Sequence, residues 1–146
     1  EVDVFTVAIS LQEVTNFATQ AFVLQAKDVL SDINHDQAID SVSQACGMIT
    51  NFFIDKSIAH NVTFSENGLK VYIFPRNFEN WLDEAPFYAG FLEVSGIFSC
   101  RNKEFYENAT DELVDEYIAK EIALDKMTYD QLKTELVEKL ASHQWV

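Results

Sequence analysis

Residues 60–76 read His60-Asn61-Val62-Thr63-Phe64, then Ser65-Glu66-Asn67-Gly68, then Leu69-Lys70-Val71-Tyr72-Ile73-Phe74-Pro75-Arg76. Two stretches rich in β-branched and aromatic residues flank an Asn-Gly pair. That pair is the strongest short hairpin signal, because both positions must reach positive φ and these two residue types tolerate it. The run therefore predicts two antiparallel strands, His60–Phe64 and Leu69–Phe74. Pro75 should end the second strand, since proline has no N–H to give to a ladder.

Upstream of this hairpin lies the clearest helix of the chain. Ile39, Val42, Cys46, Ile49 and Phe53 recur at spacings of three and four, which lines them along one apolar stripe. Asn34 is the expected N-cap, with Gln37 in capping-box position, and Asp36 and Asp40 suit the positive pole of the helix. Before the helix, Thr19 to Gln25 reads as a strand. Val4 to Leu11 alternates imperfectly and fits either a strand or an arm. Downstream, Asn77 to Ala89 reads as an irregular loop holding Trp81 and Pro86. Phe91 to Ser99 reads as a further strand, with Gly96 marking a bulge or a close backbone approach. The tail is helical. Thr110 opens one short helix with Leu113, Val114, Tyr117 and Ile118 inward. Thr128 and Gln131 form a capping box for the last helix, with Leu132, Leu136, Val137 and Leu140 inward. No repeat, linker or boundary is visible, so the expectation is one α+β domain over residues 1–146: an antiparallel sheet, one long helix after the first strand and a helical tail.

Charge narrows the partners. The chain of 146 residues carries 24 acids against 10 bases, a net of −14. Residues 1–100 contain only Lys27, Lys56, Lys70 and Arg76 as bases. A surface of that sign repels nucleic acid and anionic lipid, so neither is an expected partner. No apolar run is long enough to span a membrane, and the first residues lack a signal peptide's basic and cleavage regions. Two cysteines, Cys46 and Cys100, do not make a disulfide framework, which suits a reducing, cytoplasmic setting. A first residue of Glu rather than Met points to a longer chain cut here.

The chemistry-bearing residues are few. His35 beside Asp36 fits a helix start better than a metal site, and His143 lies near the terminus. His60 reads as a half-buried histidine satisfied by its surroundings. Cys46 belongs to the core stripe, and Cys100, beside Arg101, has no neighbouring histidine to act as a base. There is no phosphate loop, dinucleotide fingerprint, nucleophile elbow or calcium-loop spacing, and neither metal nor cofactor is expected. Arg76 stands out as the only arginine in the first 100 residues, placed where a strand leaves the sheet. It suits bidentate phosphate binding; the plainer reading is a surface ion pair with Glu79 or Asp83. Glu93 alternates with Leu92 and Val94, which makes it a solvent-facing carboxylate or a polar group on a binding face.

These same residues carry a family resemblance. Ile58 to Gly68, then Val71 to Arg76, resemble the C-terminal part of the GDP-hexose phosphorylases, the animal GDP-D-glucose and plant GDP-L-galactose enzymes of the histidine-triad superfamily. Phe91 to Gly96 and Arg101 to Tyr106 extend the likeness, which covers roughly residues 17–140, and the segment up to Asn16 matches nothing in it. The resemblance implies a histidine-triad-like half. It also implies phosphorolysis of a GDP-hexose to GDP and hexose 1-phosphate through a histidine that carries GMP covalently. That histidine sits in a His-x-His-x-Gln motif in the family's preceding half, and this sequence has no such motif; Ile97 also stands where the family often has His. No catalytic residue is therefore assigned here. The chain is expected to be the C-terminal domain of such an enzyme, inactive alone and partnered by the N-terminal catalytic half, with room for a homodimer. Arg76, Glu93 and Asn61 are the expected substrate-binding residues, although Asn61 equally fits a strand-end residue bonding backbone groups. The competing reading is a non-catalytic acidic protein-interaction module. A stand-alone hydrolase using His60 and Glu93 is weakest, because phosphoryl chemistry ordinarily needs more positive charge.

Overall fold

The computed structural model describes residues 8–14 (backbone), 21–77, 100, 103–119 and 123–142. Four strands form one antiparallel sheet: β1 (Ala8–Val14), β2 (Ala21–Lys27), β3 (Ala59–Ser65) and β4 (Lys70–Arg76), in the order β1-β2-β4-β3. The long helix α1 (Ser31–Asp55) links β2 to β3, and the described residues of the tail include the helices α2 (Lys103–Asn108), α3 (Asp111–Tyr117) and α4 (Lys126–Ser142). This is the α+β arrangement that the periodicities predict, with one difference. Residues 8–14 pair with β2 from Ala8↔Lys27 to Val14↔Ala21, so α1 follows two strands rather than one.

Strand alternation sorts the core. Phe22 and Leu24 pair with Ile73 and Val71, so these four side chains share one face. On that face α1 supplies Ala38, Val42, Ala45, Cys46, Ile49, Phe52 and Phe53, and α4 supplies Tyr129, Leu132 and Leu136. Tyr129 stacks on Phe22 with ring centroids 4.9 Å apart, a pair worth about 0.5–1.5 kcal/mol beyond its burial. The predicted α4 stripe shifts accordingly. Tyr129 joins it and Val137 leaves, being 52% exposed, because positions 129, 132, 136 and 140 fall on one line and 137 turns past it. The opposite face of the sheet buries Ala21 and Phe74 against Ile118, with Phe105, Val114 and Tyr117 packed around them. Burial pushes the Cys46 thiol pKa up, as befits a core residue.

Several local expectations need correction. Asn34 does not cap a helix that begins after it; the helical segment starts at Ser31 and Asn34 has non-helical φ −128° and ψ 19° inside it. Its buried side chain works backwards instead. The Leu30 N–H donates to Asn34 Oδ1 at 2.7 Å, and Asn34 Nδ2 donates to the Asp28 carbonyl at 3.0 Å. These bonds hold a connection in which Asp28 itself adopts a left-handed φ of 61°. The α4 cap is Asp125 rather than Thr128. Its carboxylate accepts from the Thr128 N–H at 2.9 Å and from the Thr128 hydroxyl at 2.6 Å. An aspartate is the better N-cap and also complements the helix dipole, so the helix starts three residues sooner. The Thr128 hydroxyl, then its N–H, hold the Asp125 carboxyl below the usual carboxylate range. Thr110 caps α3 as predicted, accepting from the Leu113 N–H at 3.3 Å.

The hairpin is confirmed and slightly longer than predicted. β3 and β4 pair from Ala59↔Arg76 to Ser65↔Lys70. At the turn Glu66, Asn67 and Gly68 are all left-handed, with φ of 52°, 55° and 88°, so the constraint on the Asn-Gly pair extends back to Glu66. A Cβ built on Gly68 would lie 3.2 Å from Ile39 Cδ1, which shows the tip seated on α1. Pro75 does not end β4; the strand runs on to Arg76. Pairing with β2 reaches only to Phe22↔Ile73, so beyond it β4 has a single described neighbour and a missing N–H is tolerated. The loop 78–89, the strand 91–99 and Glu93 within it lie outside the described residues, as does His143.

Candidate functional site

The end of the hairpin opposite the turn opens beside the C-terminus of α1. That helix stops in a Schellman motif: the Ser57 N–H donates to the Ile54 carbonyl at 2.9 Å and the Ile58 N–H to the Phe53 carbonyl at 2.8 Å. Ser57 takes the left-handed position that glycine usually fills, with φ 56°. The motif reverses the chain and delivers Ala59 directly into β3. Between this reversal and the end of β4 lies a cleft of about 590 Å³, lined by Ile54, Ser57, Ile58, Ala59, His60, Asn61, Arg76 and Asn77.

Two residues singled out from the sequence meet here. Arg76 is buried, 6% exposed, and its Nη1 donates to Asn61 Oδ1 at 3.0 Å. The pair register explains the contact: Ala59 faces Arg76 and Asn61 faces Phe74, so Arg76 and Asn61 are diagonal neighbours on one face. An arginine can only donate, which fixes the amide orientation. Asn61 turns its oxygen to the guanidinium and keeps its NH₂ as a donor. The strand-end reading of Asn61, bonding backbone groups, gives way to this side-chain pair. Glu79 and Asp83, the ion-pair partners weighed for Arg76, lie outside the described residues, and so does Glu93. Among the described residues, the structure joins Asn61 to Arg76.

His60 enters the same cleft from the other face of β3. Its ring lies 5.4 Å from that of Phe53, and Nδ1 is 2.9 Å from the Ile58 carbonyl oxygen. It is half-buried and hydrogen-bonded, as the sequence reading expected. Its placement in the Arg76 cleft was not foreseen, because the signal lies in the Schellman reversal and not in any motif. Ser57 gave no signal either, since serine is an unusual occupant of that helix-end position. The described lining contains an arginine, a histidine and two asparagines but no carboxylate, although the chain bears 24 acids. Arg76, Asn61 and Asn77 are side chains able to donate hydrogen bonds to an anion.

The other titratable sites are structural or exposed. His35 sits 3.7 Å from Asp36 on the surface, as a helix-start pair. Lys56 pairs with Glu135 at 2.6 Å, bridging the end of α1 to α4, and that contact holds the Glu135 carboxyl below the usual range. Among the described residues no group of three or more His, Cys, Asp or Glu is placed to hold a metal ion, and no helix is long and apolar enough to cross a membrane.

Comparison with known proteins places these features in context. Residues 2–143 match the sequence family described as "GDPGP1-like, C-terminal domain". The match includes residues 2–16, which carried no resemblance of their own in the sequence reading. A GDP-D-glucose phosphorylase 1 from Danio rerio is 29% identical over 117 residues, covering 70% of this chain and 34% of the relative. The chain thus spans about a third of that relative's length. No solved structure matches.

Proposed function

This chain belongs to the family of GDPGP1-like C-terminal domains, and from that premise we propose that it forms, as one domain over residues 1–146, the C-terminal part of a GDP-hexose phosphorylase. In this reading the preceding histidine-triad-like half supplies the nucleophilic histidine of a His-x-His-x-Gln motif. The substrate is a GDP-hexose, the co-substrate inorganic phosphate, and the products GDP and hexose 1-phosphate. The reaction proceeds through two displacements at phosphorus, each easier than one direct transfer. The setting is cytoplasmic, and no nucleic acid or membrane takes part. The name of the zebrafish relative, GDP-D-glucose phosphorylase 1, supports glucose as the hexose.

The observation that carries this reading is the family match over residues 2–143, and the Arg76–Asn61 pair at the cleft supports a binding role beside it. A phosphate oxygen that reaches the Arg76 guanidinium and the Asn61 amide would gain charge-assisted hydrogen bonds. Arg76 and Asn61 thus bind and orient the anionic part of the substrate, with Glu93 a further contact to the sugar. None of the three forms or breaks a covalent bond. Assay of GDP release from GDP-glucose and phosphate tests this. The 146-residue chain alone should be inactive. The longer protein that carries it should turn over, and Arg76→Ala in that protein should raise the KM for GDP-glucose about tenfold or more. Turnover by the isolated chain, or an unchanged KM in the variant, would refute the assignment.

A further inference from the structure

Among the asparagines of this sequence, Asn67 alone is followed by glycine, and the fold presents the pair at the tip of the β3–β4 hairpin. Asn67 is exposed, and its side-chain amide has no hydrogen-bond partner among the described residues. Gly68 has no Cβ to shield its backbone nitrogen from an approaching carbonyl carbon. An open amide beside an unshielded backbone nitrogen is the arrangement in which an asparagine side chain cyclises onto its own main chain.

The folded tip restrains that reaction. Ring closure needs the Gly68 nitrogen beside Cβ of Asn67, which requires rotation about the Asn67 Cα–C bond. With φ 55° and ψ 35°, the folded backbone instead turns this nitrogen toward the Asn67 N–H and away from its side chain. Two contacts keep it there. The Leu69 N–H donates to the Glu66 carbonyl at 3.1 Å, closing the turn around Asn67. Gly68 lies against Ile39, whose Cδ1 is 3.2 Å from where a Cβ on Gly68 would stand. Both contacts lie near the surface, since Glu66 and Asn67 are exposed and Ile39 is half-buried. Opening such a tip costs far less than global unfolding. The reacting groups are thus always adjacent, and the reacting geometry arises when the tip opens.

We propose that Asn67 is a site of spontaneous backbone modification, gated by opening of the hairpin tip. In the open tip the Gly68 nitrogen gives its proton to water and bonds to Cγ of Asn67. The Cγ–Nδ2 bond breaks, and the side-chain nitrogen takes a proton from water and leaves as ammonia. Water then adds to one carbonyl of the five-membered imide and breaks that carbon's bond to the ring nitrogen. Opening at Cγ gives aspartate. Opening at the main-chain carbonyl gives isoaspartate, whose backbone runs through Cβ. One water is consumed and one ammonia released, with no oxidant or other co-reactant. Isoaspartate lengthens the backbone by a carbon, so the three successive left-handed residues cannot re-form and Gly68 loses its seat on Ile39. The modified tip therefore stays open. Such a site fits one kind of partner, an enzyme that methylates isoaspartyl carboxylates.

Peptide mapping by mass spectrometry, on the full chain aged in mildly alkaline buffer and in guanidinium chloride, tests this. Amide-to-acid conversion with isoaspartate should concentrate at Asn67 in both, and run more slowly in the folded chain. Methyl transfer from S-adenosylmethionine by an isoaspartyl methyltransferase should rise in step. Ile39→Ala loosens the seat without touching a reacting group, so it should speed conversion in buffer about fivefold and leave the rate in denaturant unchanged. Hydrogen exchange of wild type needs no variant: the amides of residues 67–69 should exchange well ahead of those of Val71 and Ile73. Absence of conversion at Asn67 in folded wild type, or conversion spread equally over the other asparagines, overturns the site. Equal rates in buffer and denaturant, a wild-type rate in Ile39→Ala, or tip amides protected as well as Ile73 overturn the gating.

Discussion

The two ends of the β3–β4 hairpin are built from one register and put it to different uses. At the closed end, three consecutive left-handed residues turn the chain and seat Gly68 on Ile39 of α1. The Ala26 N–H donates to the Leu69 carbonyl at 3.0 Å, tying the tip to β2, and Asn34 fastens the nearby entry into α1. Backbone geometry and packing dominate there, with the Asn34 side-chain bonds and a Lys70–Glu66 ion pair at 3.8 Å beside them. At the open end the strands run past β2, a second left-handed residue, Ser57, turns α1 into β3, and polar side chains collect around a cleft. Helix α1 joins the two, with its first turns under the tip and its last turn beside the cleft. The contrast teaches that one hairpin can place its rigidity and its chemistry at opposite ends, so damage to one should spare the other.

Substitutions at each end can break that separation. The largest effect is expected from Arg76→Ala, which should lower affinity for phosphate-bearing ligands by tenfold or more while far-ultraviolet dichroism stays near wild type. Arg76→Lys should recover only part of the loss, since a lysine cannot reproduce the planar fork that meets Asn61 and an oxyanion together. Next comes Asn34→Ala. It strands a buried N–H and a carbonyl of the β2–α1 connection and should cost about 1–3 kcal/mol in chemical denaturation, without changing ligand affinity. Gly68→Ala should cost about 1–2 kcal/mol, from the left-handed φ of 88° together with the close approach to Ile39 Cδ1, again with affinity intact. A loss of binding in either closed-end variant would show that the two ends are coupled.

Smaller effects sharpen the picture. Ser57→Gly should stabilise the protein by up to about 1 kcal/mol, by relieving a left-handed serine in a Schellman motif. Because Ser57 also lines the cleft, an accompanying change in affinity would show that its hydroxyl touches the ligand. Least of all is the acid response of the Asp125 cap. Its carboxyl is held low by Thr128, so its contribution is present above the unfolded carboxylate range and fades as pH falls through the lower folded value. Asp125→Ala should therefore flatten the melting-temperature profile on the acid side and leave the slope near neutrality unchanged.

How far the sequence disclosed this arrangement differs between the ends for a physical reason. Asn67-Gly68 is a local signal, because positive φ is a property of one or two residues and leaves its mark in their identity. The α1 stripe is legible for a similar reason, since Val42, Cys46, Ile49 and Phe53 repeat with the helix period. The open end is assembled across strands. Arg76 was conspicuous by its scarcity and its place at a strand end, but its bond to Asn61 depends on register, which no single stretch encodes. His60 joins the cleft through a helix reversal at Ser57, a residue with no special propensity for that position. Asn34 and Asp125 show a subtler limit: a polar residue near a helix start announces a cap, but not which way its side chain will bond.

The account stands on the open end being the binding end, and one experiment examines that directly. Amide resonances of the full chain, followed by ¹H–¹⁵N correlation spectra, would be titrated with glucose 1-phosphate. Perturbations should concentrate at Ser57–Asn61, Arg76 and Asn77, with Glu66–Gly68 and Ile39 unmoved. Perturbations centred on the hairpin tip or on the α2–α3 face, with the cleft residues silent, would contradict it.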